Sequence, residues 1–569
     1  MQNEYNIVFI CLAAFMVNLA ATQDNPCAKR MAVAGYVCVC NETYCDTVER
    51  PSQLPRGQYY YYMTSEDSPG FTKTVGTFIN STDTSLNVYK NISSDVYIHI
   101  NSSIQYQTFG GIGASFSESS GSLFNNLSTE AQNKFLESFF GVSGLEYTFG
   151  RVPMASSDFS QRTYTYDDVA GDVELKYFNL TQDDFMYKIP IIKRAMALSE
   201  RGLKLIATPW TAPDWMKTNN ASKQGYIRSQ YLEAWSKYFL KFLEAYSNEG
   251  IDFWAISHGN EYIIPLYFGA AFGMPNTVMM PAQARYWTKT YLGPMLKASP
   301  FKSVKLLSLD DERPFLNWWA DRLYVDKEVA QFVDGIALHW YFDNAKSIVE
   351  LEGFNTKYPD KIMVYTESSI NSFQSSGGGS VNLGDWSRAL RYINNVYQNL
   401  DHWVMGYLDW NIALNEDGGP TGATGITLDA SVIINTTNGE FYKQPIFYAL
   451  GHFSKFMPPE SKKINVNIDQ DTYDVEDDDM REESNILEKF VRMDMENSSS
   501  TTPSPFPTRK PDPPSNTVLA LATVNPDGSH TLIAYNPRTV PANLIVTDDS
   551  IGTFNQTVPP HSLNSFVYW

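Results

Sequence analysis

Short apolar runs alternate with longer segments of helical periodicity between about residue 105 and residue 455. This alternation predicts repeated βα units around a parallel sheet. Segment 230–247 carries apolar side chains at helical spacing and is predicted to be a helix packed on that sheet. Eight strands with intervening helices predict an α/β fold, a TIM (β/α)8 barrel. The predicted strands are 107–114, 145–153, 204–209, 252–257, 304–309, 335–339, 361–366 and 403–410.

Both flanks of this region have the pattern of β-structure. Residues 71–104 alternate between apolar and polar side chains, and residues 518–569 are rich in Val, Thr and turn signals. We therefore expect one appended β-sandwich built from both chain ends, residues 51–104 and 450–569, around a barrel of residues 105–449. Residues 466–516 are acidic and then Ser/Thr/Pro-rich, a composition that predicts a disordered insertion.

The N-terminus indicates entry into the secretory pathway. Residues 7–21 form an apolar stretch of signal-peptide length followed by small residues, so residues 1–22 are predicted to be a signal peptide. The preceding residues include Glu4 and no Lys or Arg, which leaves an N-terminal anchor as the alternative. Later apolar runs stay shorter than the roughly 18 residues that a membrane helix needs, so the mature chain is predicted to be soluble.

Cysteine usage agrees with secretion. Cys11 lies in the predicted signal, and the other four cysteines fall within segment 23–50. An even number in one short segment predicts disulfides and allows three pairings, whereas the spacing is unlike that of common zinc sites. Glycosylation sequons also suit a secretory protein. They begin at Asn41, Asn80, Asn91, Asn101, Asn126, Asn179, Asn220, Asn435, Asn497 and Asn555.

Charge and motifs narrow the function. The net charge of −20 argues against a nucleic-acid partner. An acidic composition suits a protein that works at low pH, but it also suits a protein that is acidic for solubility alone. The charge does not distinguish these two interpretations. The chain has no G-x-S-x-G elbow, no phosphate-binding P-loop and no H-E-x-x-H, so we expect neither a metal nor a cofactor.

Two glutamates follow predicted strands at the end where a TIM barrel carries its active site. Glu261 follows the fourth strand and Glu367 follows the seventh. Poorly solvated carboxyl groups can have their pKa values shifted apart, so that one serves as an acid and the other as a nucleophile. Cleavage of a glycosidic bond needs such a pair. We therefore predict a two-carboxylate hydrolase.

Other strands run into polar and aromatic residues at the same end. Each one alone is more often a packing or ion-pairing residue, but their convergence favours a site. Asn260 is predicted to form a hydrogen bond with the sugar 2-hydroxyl or with the nucleophile, and Asp158 is predicted to accept hydrogen bonds from sugar hydroxyls. Arg151 and Tyr341 are predicted to keep Glu367 ionised. The indoles of Trp210, Trp340 and Trp410 are predicted to stack on a sugar ring. The strand-end residues are Arg151, Asp158, Trp210, Asn260, His339, Trp340, Tyr341, Asp409, Trp410 and Asn411.

Several stretches together resemble the family of lysosomal glucocerebrosidase, acid β-glucosidase. They are VCVCNETYCD, RVPMASSDFSQRTYTY, TPWTAPDWMKTN, ALHWY, LDWNIALNEDGGP and FYKQPIFYALGHFSKF, and the similarity runs from about Cys27 to Trp569 outside the acidic insertion. The resemblance implies the barrel and sandwich, a small N-terminal sheet, and disulfides Cys27–Cys38 and Cys40–Cys45. It also implies hydrolysis of glucosylceramide with retention of configuration, in the lysosomal lumen or after secretion.

The same resemblance implies roles for individual residues. The acid/base falls on Glu261 and the nucleophile on Glu367. The glucose-binding set falls on Asp158, Trp210, Asn260 and Trp410, with Arg151, His339 and Tyr341 around the nucleophile. A saposin-type activator and an anionic membrane surface are the further partners that it implies.

The departures from the family lie beside Glu261. Family members usually read Glu-Asn-Glu-Pro, whereas this chain has Gly259 and Tyr262 around Asn260 and Glu261. Glycine and the loss of proline are expected to loosen the acid/base. Loop 263–272 also diverges and should shape the aglycone entrance. A second hypothesis is therefore a catalytically weak paralogue that binds glycosphingolipid as a carrier.

Overall fold

The computed structural model describes residues 24–79, 95–268, 273–343, 348–370, 380–422, 424–470 and 516–569. The predicted signal peptide, the sequons at Asn80, Asn91 and Asn497, part of loop 263–272 and most of the 466–516 insertion lie outside the described residues. Among the described helices, none combines the length and the apolar character needed to cross a membrane.

The described strands are numbered in chain order. They are β1 (Lys29–Met31), β2 (Tyr36–Cys40), β3 (Gln58–Ser65), β4 (Ser68–Thr77), β5 (Asp95–Thr108), β6 (Gly111–Ser115), β7 (Phe149–Met154), β8 (Lys204–Pro209), β9 (Ala255–Ser257), β10 (Lys305–Glu312), β11 (Gly335–His339), β12 (Ile362–Glu367), β13 (Val404–Asn411), β14 (Leu414–Asn415), β15 (Val432–Asn435), β16 (Glu440–Lys443), β17 (Lys462–Gln470), β18 (Leu519–Val524), β19 (His530–Asn536), β20 (Ala542–Asp548), β21 (Gly552–Val558) and β22 (Ser562–Tyr568).

The helices follow the same numbering. They are α1 (Glu118–Asn125), α2 (Thr129–Phe140), α3 (Ile189–Leu198), α4 (Leu232–Asn248), α5 (Ile264–Phe268), α6 (Pro281–Trp287), α7 (Gly293–Ala298), α8 (Leu316–Tyr324), α9 (Lys327–Phe332), α10 (Val349–Lys357), α11 (Trp386–Asp401) and α12 (Pro445–Phe456). Short π-helical turns, Asp184–Lys188 and Thr288–Leu292, lead into α3 and α7, and 3₁₀ turns span Asp214–Met216, Ser229–Tyr231 and Arg313–Phe315.

Strands β6 to β13 close into a parallel eight-stranded barrel in the order β10-β11-β12-β13-β6-β7-β8-β9. The predicted TIM barrel is confirmed. Its strands are buried throughout because helices cover the outer face and side chains fill the interior. Helix α4 shows how the sequence encodes this cover: the predicted apolar stripe, including Trp235, Phe239 and Phe242, is fully buried.

The first barrel strand begins later than predicted. The alternating pattern up to Thr108 belongs to β5, which is half-buried and lies in a different sheet. The barrel strand β6 starts at Gly111, whose φ of +132° turns the chain between the two sheets. The pattern around residue 107 therefore continued the preceding strand.

The remaining strands form two further sheets. A nine-stranded sheet has the order β21-β20-β5-β17-β18-β19-β22-β3-β4, so it joins strands from both chain ends. It curls until its ends meet, with the rings of Tyr59 on β3 and Phe554 on β21 packing 4.3 Å apart. This arrangement confirms the predicted sandwich.

A small five-stranded sheet has the order β1-β2-β16-β15-β14. Disulfides Cys27–Cys38 and Cys40–Cys45 staple its N-terminal strands, as the resemblance implied. Strand β2 pairs with β16, and Ala34 on the hairpin donates a backbone hydrogen bond to Leu383. The small sheet is thereby fixed beside the carboxyl end of the barrel.

Candidate active site

Both predicted glutamates lie at the carboxyl ends of barrel strands and face one histidine. Glu261 follows β9 and Glu367 ends β12. The Nδ1 atom of His339 lies 3.1 Å from Oε1 of Glu261 and 4.0 Å from Oε1 of Glu367. Their exposures are only 4% and 5%. The fold therefore brings the two carboxyl groups together in a nearly dry site.

Glu367 is surrounded by hydrogen-bond donors. The guanidinium of Arg151 donates from Nη1 to Oε2, and the hydroxyl of Tyr341 donates to Oε1 over 2.9 Å. Arg151 is fully buried and also donates from Nη2 to Oδ1 of Asn260 at 2.7 Å. Donors of this kind favour the ionised form of a carboxyl group.

Glu261 has a different environment. Burial raises its pKa, the hydrogen bond with His339 opposes this rise, and the charge of Glu367 adds to it. Burial alone would lower the pKa of His339, but the charge of Glu367 and the bonds to Asp310 and Glu261 hold that pKa well above its usual range. One glutamate therefore has a raised pKa while the other accepts two strong hydrogen bonds. Two carboxyl groups in such unequal environments can divide acid and nucleophile roles.

The predicted sugar-binding residues line the same end of the barrel. The indoles of Trp210 and Trp410 stack on each other at 5.0 Å, and Arg151 lies over Trp210 at 4.8 Å. Nε1 of Trp410 donates to Oδ2 of Asp158 at 3.3 Å. The other carboxylate oxygen, Oδ1, is buried and has no hydrogen-bond partner among the described residues. An acceptor left in this state is available to a hydroxyl group of a ligand.

The predicted stacking role of Trp340 is wrong. Its ring packs against Tyr392 at 4.6 Å and against the guanidinium of Arg391 at 4.7 Å, and its Nε1 donates to the carbonyl of Ser369. These contacts engage both its ring and its N–H with helix α11 and the loop after β12. Successive residues of a strand point to opposite faces, so Trp340 points outward where His339 points into the barrel.

Asp310, at the end of β10, connects the two halves of the site. It accepts hydrogen bonds from Nη2 of Arg151 at 3.1 Å and pairs with Nε2 of His339 at 3.2 Å. Burial alone would raise the pKa of Asp310, but the charges of Arg151 and His339 outweigh this effect and hold it well below its usual range. Asp310 therefore stays ionised and holds in place the two cationic side chains, Arg151 and His339, that contact the glutamates.

The backbone of β10 aims this side chain inward. Leu309 and Asp310 have φ angles of +70° and +53°, and the pairing with β11 shifts register between Leu309 and Asp311. Bulges of this type redirect a side chain beside active sites, and positive φ outside glycine persists only where the surroundings enforce it.

Two more acidic residues continue the same strand. Asp311 accepts a hydrogen bond from the backbone N–H of Ile263 at 2.8 Å and so holds the loop after Glu261. Glu312 lies beside Glu261 and His339, and burial raises its pKa well above the usual range. Asp310, Asp311 and Glu312 are not among the residues predicted from the sequence. The available signal was the run of three acids directly after the fifth predicted strand, at the end where the other site residues were sought.

Among the described residues, one set of donor atoms that involves no disulfide is compact enough to hold a cation. Atoms of Glu261, Glu312 and His339 lie within 4.8 Å of one another, whereas the comparable cluster at Cys40 and Cys45 has its sulfurs in a disulfide. Because Glu261 and His339 already bond each other, this set belongs to the carboxylate site. The expectation that no metal is needed stays a prediction.

Buried acids should make the fold more stable at about pH 5 than at neutral pH. Burial raises the pKa of Asp311 and of Asp409 to about 7, whereas an unfolded Asp has a pKa near 3.9. The folded chain then binds more protons than the unfolded chain between about pH 4 and pH 7, and stability falls as pH rises through this window. Burial lowers the pKa of His258 and His452 to about 3, which opposes the trend below about pH 6.5.

The raised carboxyls outnumber these two histidines, because Asp158 and Glu312 shift upward as well. We therefore expect the melting temperature to drop between about pH 5 and pH 7 in buffers of matched ionic strength. Asp409→Asn should flatten the profile, since an amide keeps the acceptor that Tyr392 uses but cannot ionise. A melting temperature that climbs over this range would contradict the prediction.

Matches to family models cover both main parts of the chain. Residues 109–457 match the glycosyl hydrolase family 30 TIM-barrel domain. The chain belongs to glycosyl hydrolase family 30. Residues 491–566 match the family 30 beta sandwich domain. Membership makes the protein a glycosidase and confirms the family that the sequence motifs indicated.

Individual relatives support the same family assignment. The chain is 38% identical over 475 residues to putative glucosylceramidase 3 of Caenorhabditis elegans, covering 82% of this chain and 88% of the relative. It is 32% identical over 552 residues to lysosomal acid glucosylceramidase of Mus musculus, covering 95% of both. The crystal structure of SrfJ from Salmonella typhimurium has the same fold, with a TM-score of 0.73 at 22% identity over 90% of this chain and 99% of that one.

Proposed function

We propose that this family 30 member is a retaining β-glucosidase that cleaves glucosylceramide, or a close glucosyl lipid, to glucose and ceramide. The observation that carries the proposal is the placement of Glu261 and Glu367 around one nitrogen of His339, at 3.1 and 4.0 Å. Carboxyl groups of retaining enzymes lie about 5 to 5.5 Å apart, closer than the roughly 6.5 to 9.5 Å of inverting enzymes. A shared histidine supports the short separation.

In the first step Glu367 attacks the anomeric carbon while Glu261 donates its proton to the glycosidic oxygen. A bond forms between C1 and a carboxylate oxygen, the C1–O bond breaks, and ceramide leaves with the proton. Arg151 and Tyr341 donate to the two carboxylate oxygens of Glu367 and hold the side chain in place for this attack. The raised pKa of Glu261 keeps its proton available.

In the second step the roles at Glu261 reverse. Glu261, now ionised, takes a proton from water, and the resulting oxygen nucleophile attacks C1. The bond between C1 and Glu367 breaks, glucose leaves with its original configuration, and Glu261 is protonated again. Two inversions at C1 give net retention.

Recognition of the glucosyl group would fall to Asp158, Asn260 and Trp410. Oδ1 of Asp158 has no partner among the described residues and would accept from a sugar hydroxyl. The carbonyl oxygen of Asn260 is taken by Arg151, which orients its NH₂ group as a donor for the sugar. Trp410 fixes Asp158 through its indole N–H and stacks on Trp210.

The lipid substrate and its setting rest on the relatives and on the N-terminal region. The mouse relative is named as a lysosomal acid glucosylceramidase, and the two disulfides suit a protein that passes through the secretory pathway. The proposal therefore includes glycosylation, the lysosomal lumen, a role in sphingolipid breakdown, and work at an anionic membrane surface with a saposin-type activator.

The test is a substrate panel with the purified full chain. Glucosylceramide and galactosylceramide are presented in detergent and in vesicles with or without anionic lipid, at about pH 5. We expect glucose release from glucosylceramide and little release from the galactosyl lipid, whose axial hydroxyl changes the hydrogen-bonding pattern that Asp158 would meet. Binding of glucosylceramide without glucose release would favour a carrier and refute the enzymatic proposal.

Stereochemistry supplies a second readout in the same experiment. Proton NMR of the first glucose released from a β-glucoside should show the β-anomer, which then mutarotates. Release of the α-anomer first would show inversion and would refute the assignment of Glu367 as nucleophile.

A further inference from the structure

Tyr262 lies over Gly259, and the two residues flank the pair Asn260 and Glu261. Tyr262 is 1% exposed. A Cβ atom placed on Gly259 would lie 2.3 Å from both Cζ and Oη of the Tyr262 ring. The φ of Gly259, +156°, is also one that residues with side chains rarely adopt. The ring therefore occupies the space that a side chain at position 259 would fill.

Tyr262 closes a hydrogen-bonded turn over residues 258–262, here called the clasp, which contains Glu261. Its hydroxyl donates to the backbone carbonyl of His258, four residues earlier. His258 is itself anchored, with Nδ1 2.9 Å from the Ser308 hydroxyl and Nε2 2.9 Å from that of Thr288. The clasp thus joins Tyr262 to a fixed point on the barrel.

Inside the clasp Glu261 has an uncommon backbone conformation. Its φ is +49°, in the left-handed region, and its N–H donates to the carbonyl of Asp310 at 2.9 Å. A non-glycine residue persists there only where the surroundings enforce it. On the far side, Asp311 holds the N–H of Ile263 at 2.8 Å. Glu261 is therefore held from both sides in the conformation that points its carboxyl group at His339.

We propose that Tyr262, seated on Gly259, is a positioning residue that holds Glu261 for proton transfer to the leaving group. The inference rests on the proposed function, in which Glu261 is the acid. It reverses the expectation from sequence that glycine at 259 and the absence of proline at 262 loosen the acid/base. Here the glycine makes room for the ring, and the ring fixes the glutamate.

A misplaced acid has a recognisable kinetic signature. Proton donation matters for a basic leaving group such as an alkoxide and hardly at all for 2,4-dinitrophenolate, which leaves without a proton. Loss of positioning should therefore lower kcat/KM for octyl β-glucoside much more than for 2,4-dinitrophenyl β-glucoside. A general loss of structure would lower both equally.

The experiment compares these two glucosides across a set of variants. Tyr262→Phe removes the hydroxyl of the clasp, Tyr262→Ala removes the ring, and Gly259→Ala displaces it. We expect kcat/KM for the octyl glucoside to fall about 10-fold in the first and about 100-fold in the other two, approaching Glu261→Gln, with less than about 3-fold change for the dinitrophenyl glucoside. Tyr324→Phe, a buried tyrosine whose hydroxyl has no partner among the described residues, is the matched control and should change neither.

A double variant tests the contact between the two residues directly. Gly259→Ala should cost less in the Tyr262→Ala background than in the wild type, because the ring that it meets is absent and only the backbone strain at a φ of +156° remains. Tyr262→Phe guards against misfolding, since it preserves the packing.

The outcomes separate the two proposals. A wild-type protein inactive on both glucosides would refute the proposed function. An active wild type whose Tyr262 variants lose both activities equally, or neither, would refute only the positioning role. Additive costs in the double variant would also refute it.

Discussion

Glu367→Gln should abolish turnover of β-glucosides while the fold stays intact. The amide has the shape of the carboxylate and can still accept from Tyr341, but it cannot attack the anomeric carbon. Loss of a nucleophile that acts with its partners as a unit lowers kcat by roughly 10⁴-fold or more. The measurement is kcat on a fluorogenic β-glucoside at about pH 5, together with the melting temperature.

A covalent label makes this prediction sharper. A 2-deoxy-2-fluoroglucoside with a dinitrophenolate leaving group should form a stable ester with wild-type Glu367, found by peptide mass mapping, and should leave Glu367→Gln unlabelled. The matched control is Glu200→Gln, because the Glu200 side chain is 62% exposed and, within the described part of the chain, pairs with Arg50 at 3.3 Å. Wild-type turnover by Glu367→Gln, or a label on another residue, would remove Glu367 from the mechanism.

Arg151→Met should destabilise the barrel as well as inactivate it. The guanidinium is fully buried and donates to Glu367, Asn260 and Asp310 at once. Methionine fills much of the same volume but removes the guanidinium from two buried carboxylates, Glu367 and Asp310, and leaves His339 as the cation beside them. Removing one partner of a buried ion pair typically costs about 3 to 5 kcal/mol. We expect a loss of that size in the free energy of unfolding from urea titrations, and no detectable turnover.

An exposed ion pair provides the comparison. Arg30 donates to both carboxylate oxygens of Glu440, but its side chain is 49% exposed. Arg30→Met should cost less than about 1 kcal/mol, because solvent screens such pairs. Arg151→Lys should lie between the two, since an ammonium keeps the charge but cannot reach three acceptors in the same geometry. Equal costs at positions 30 and 151 would contradict the role assigned to the buried guanidinium.

The barrel could be predicted because its signal is periodic and long. Buried parallel strands are continuous apolar runs, and two of the eight, 204–209 and 335–339, have the predicted bounds. The rule that active-site residues follow barrel strands then led to Glu261 and Glu367. It also grouped Arg151, Asp158 and Tyr341, which the structure places around these glutamates.

The remaining features of the site depend on the directions in which side chains point, and the sequence pattern does not determine these directions. His339 ends β11 and Trp340 follows it directly, yet only the histidine faces the site. The bulge at Leu309 and Asp310 cannot be inferred from a run of Leu-Asp-Asp, although it decides which acid points inward. Tyr262 packs over Gly259. From the sequence, each of these two residues was expected on its own to loosen the acid/base, and nothing in the pattern indicated that they contact each other.

The nine-stranded sheet has a consequence for how the chain is made. Strand β3 near the N-terminus pairs along its whole length with β22, the last strand, with Tyr59 opposite Tyr568. At synthesis rates of about 5 to 20 residues per second, the ribosome needs roughly half a minute or more to supply that partner. During this time the early strands β3 to β5 expose unpaired edges, which are prone to aggregation. The sandwich can therefore close only after β22 has been synthesised, so the first strands of the sheet must stay free of aggregation until that strand is available.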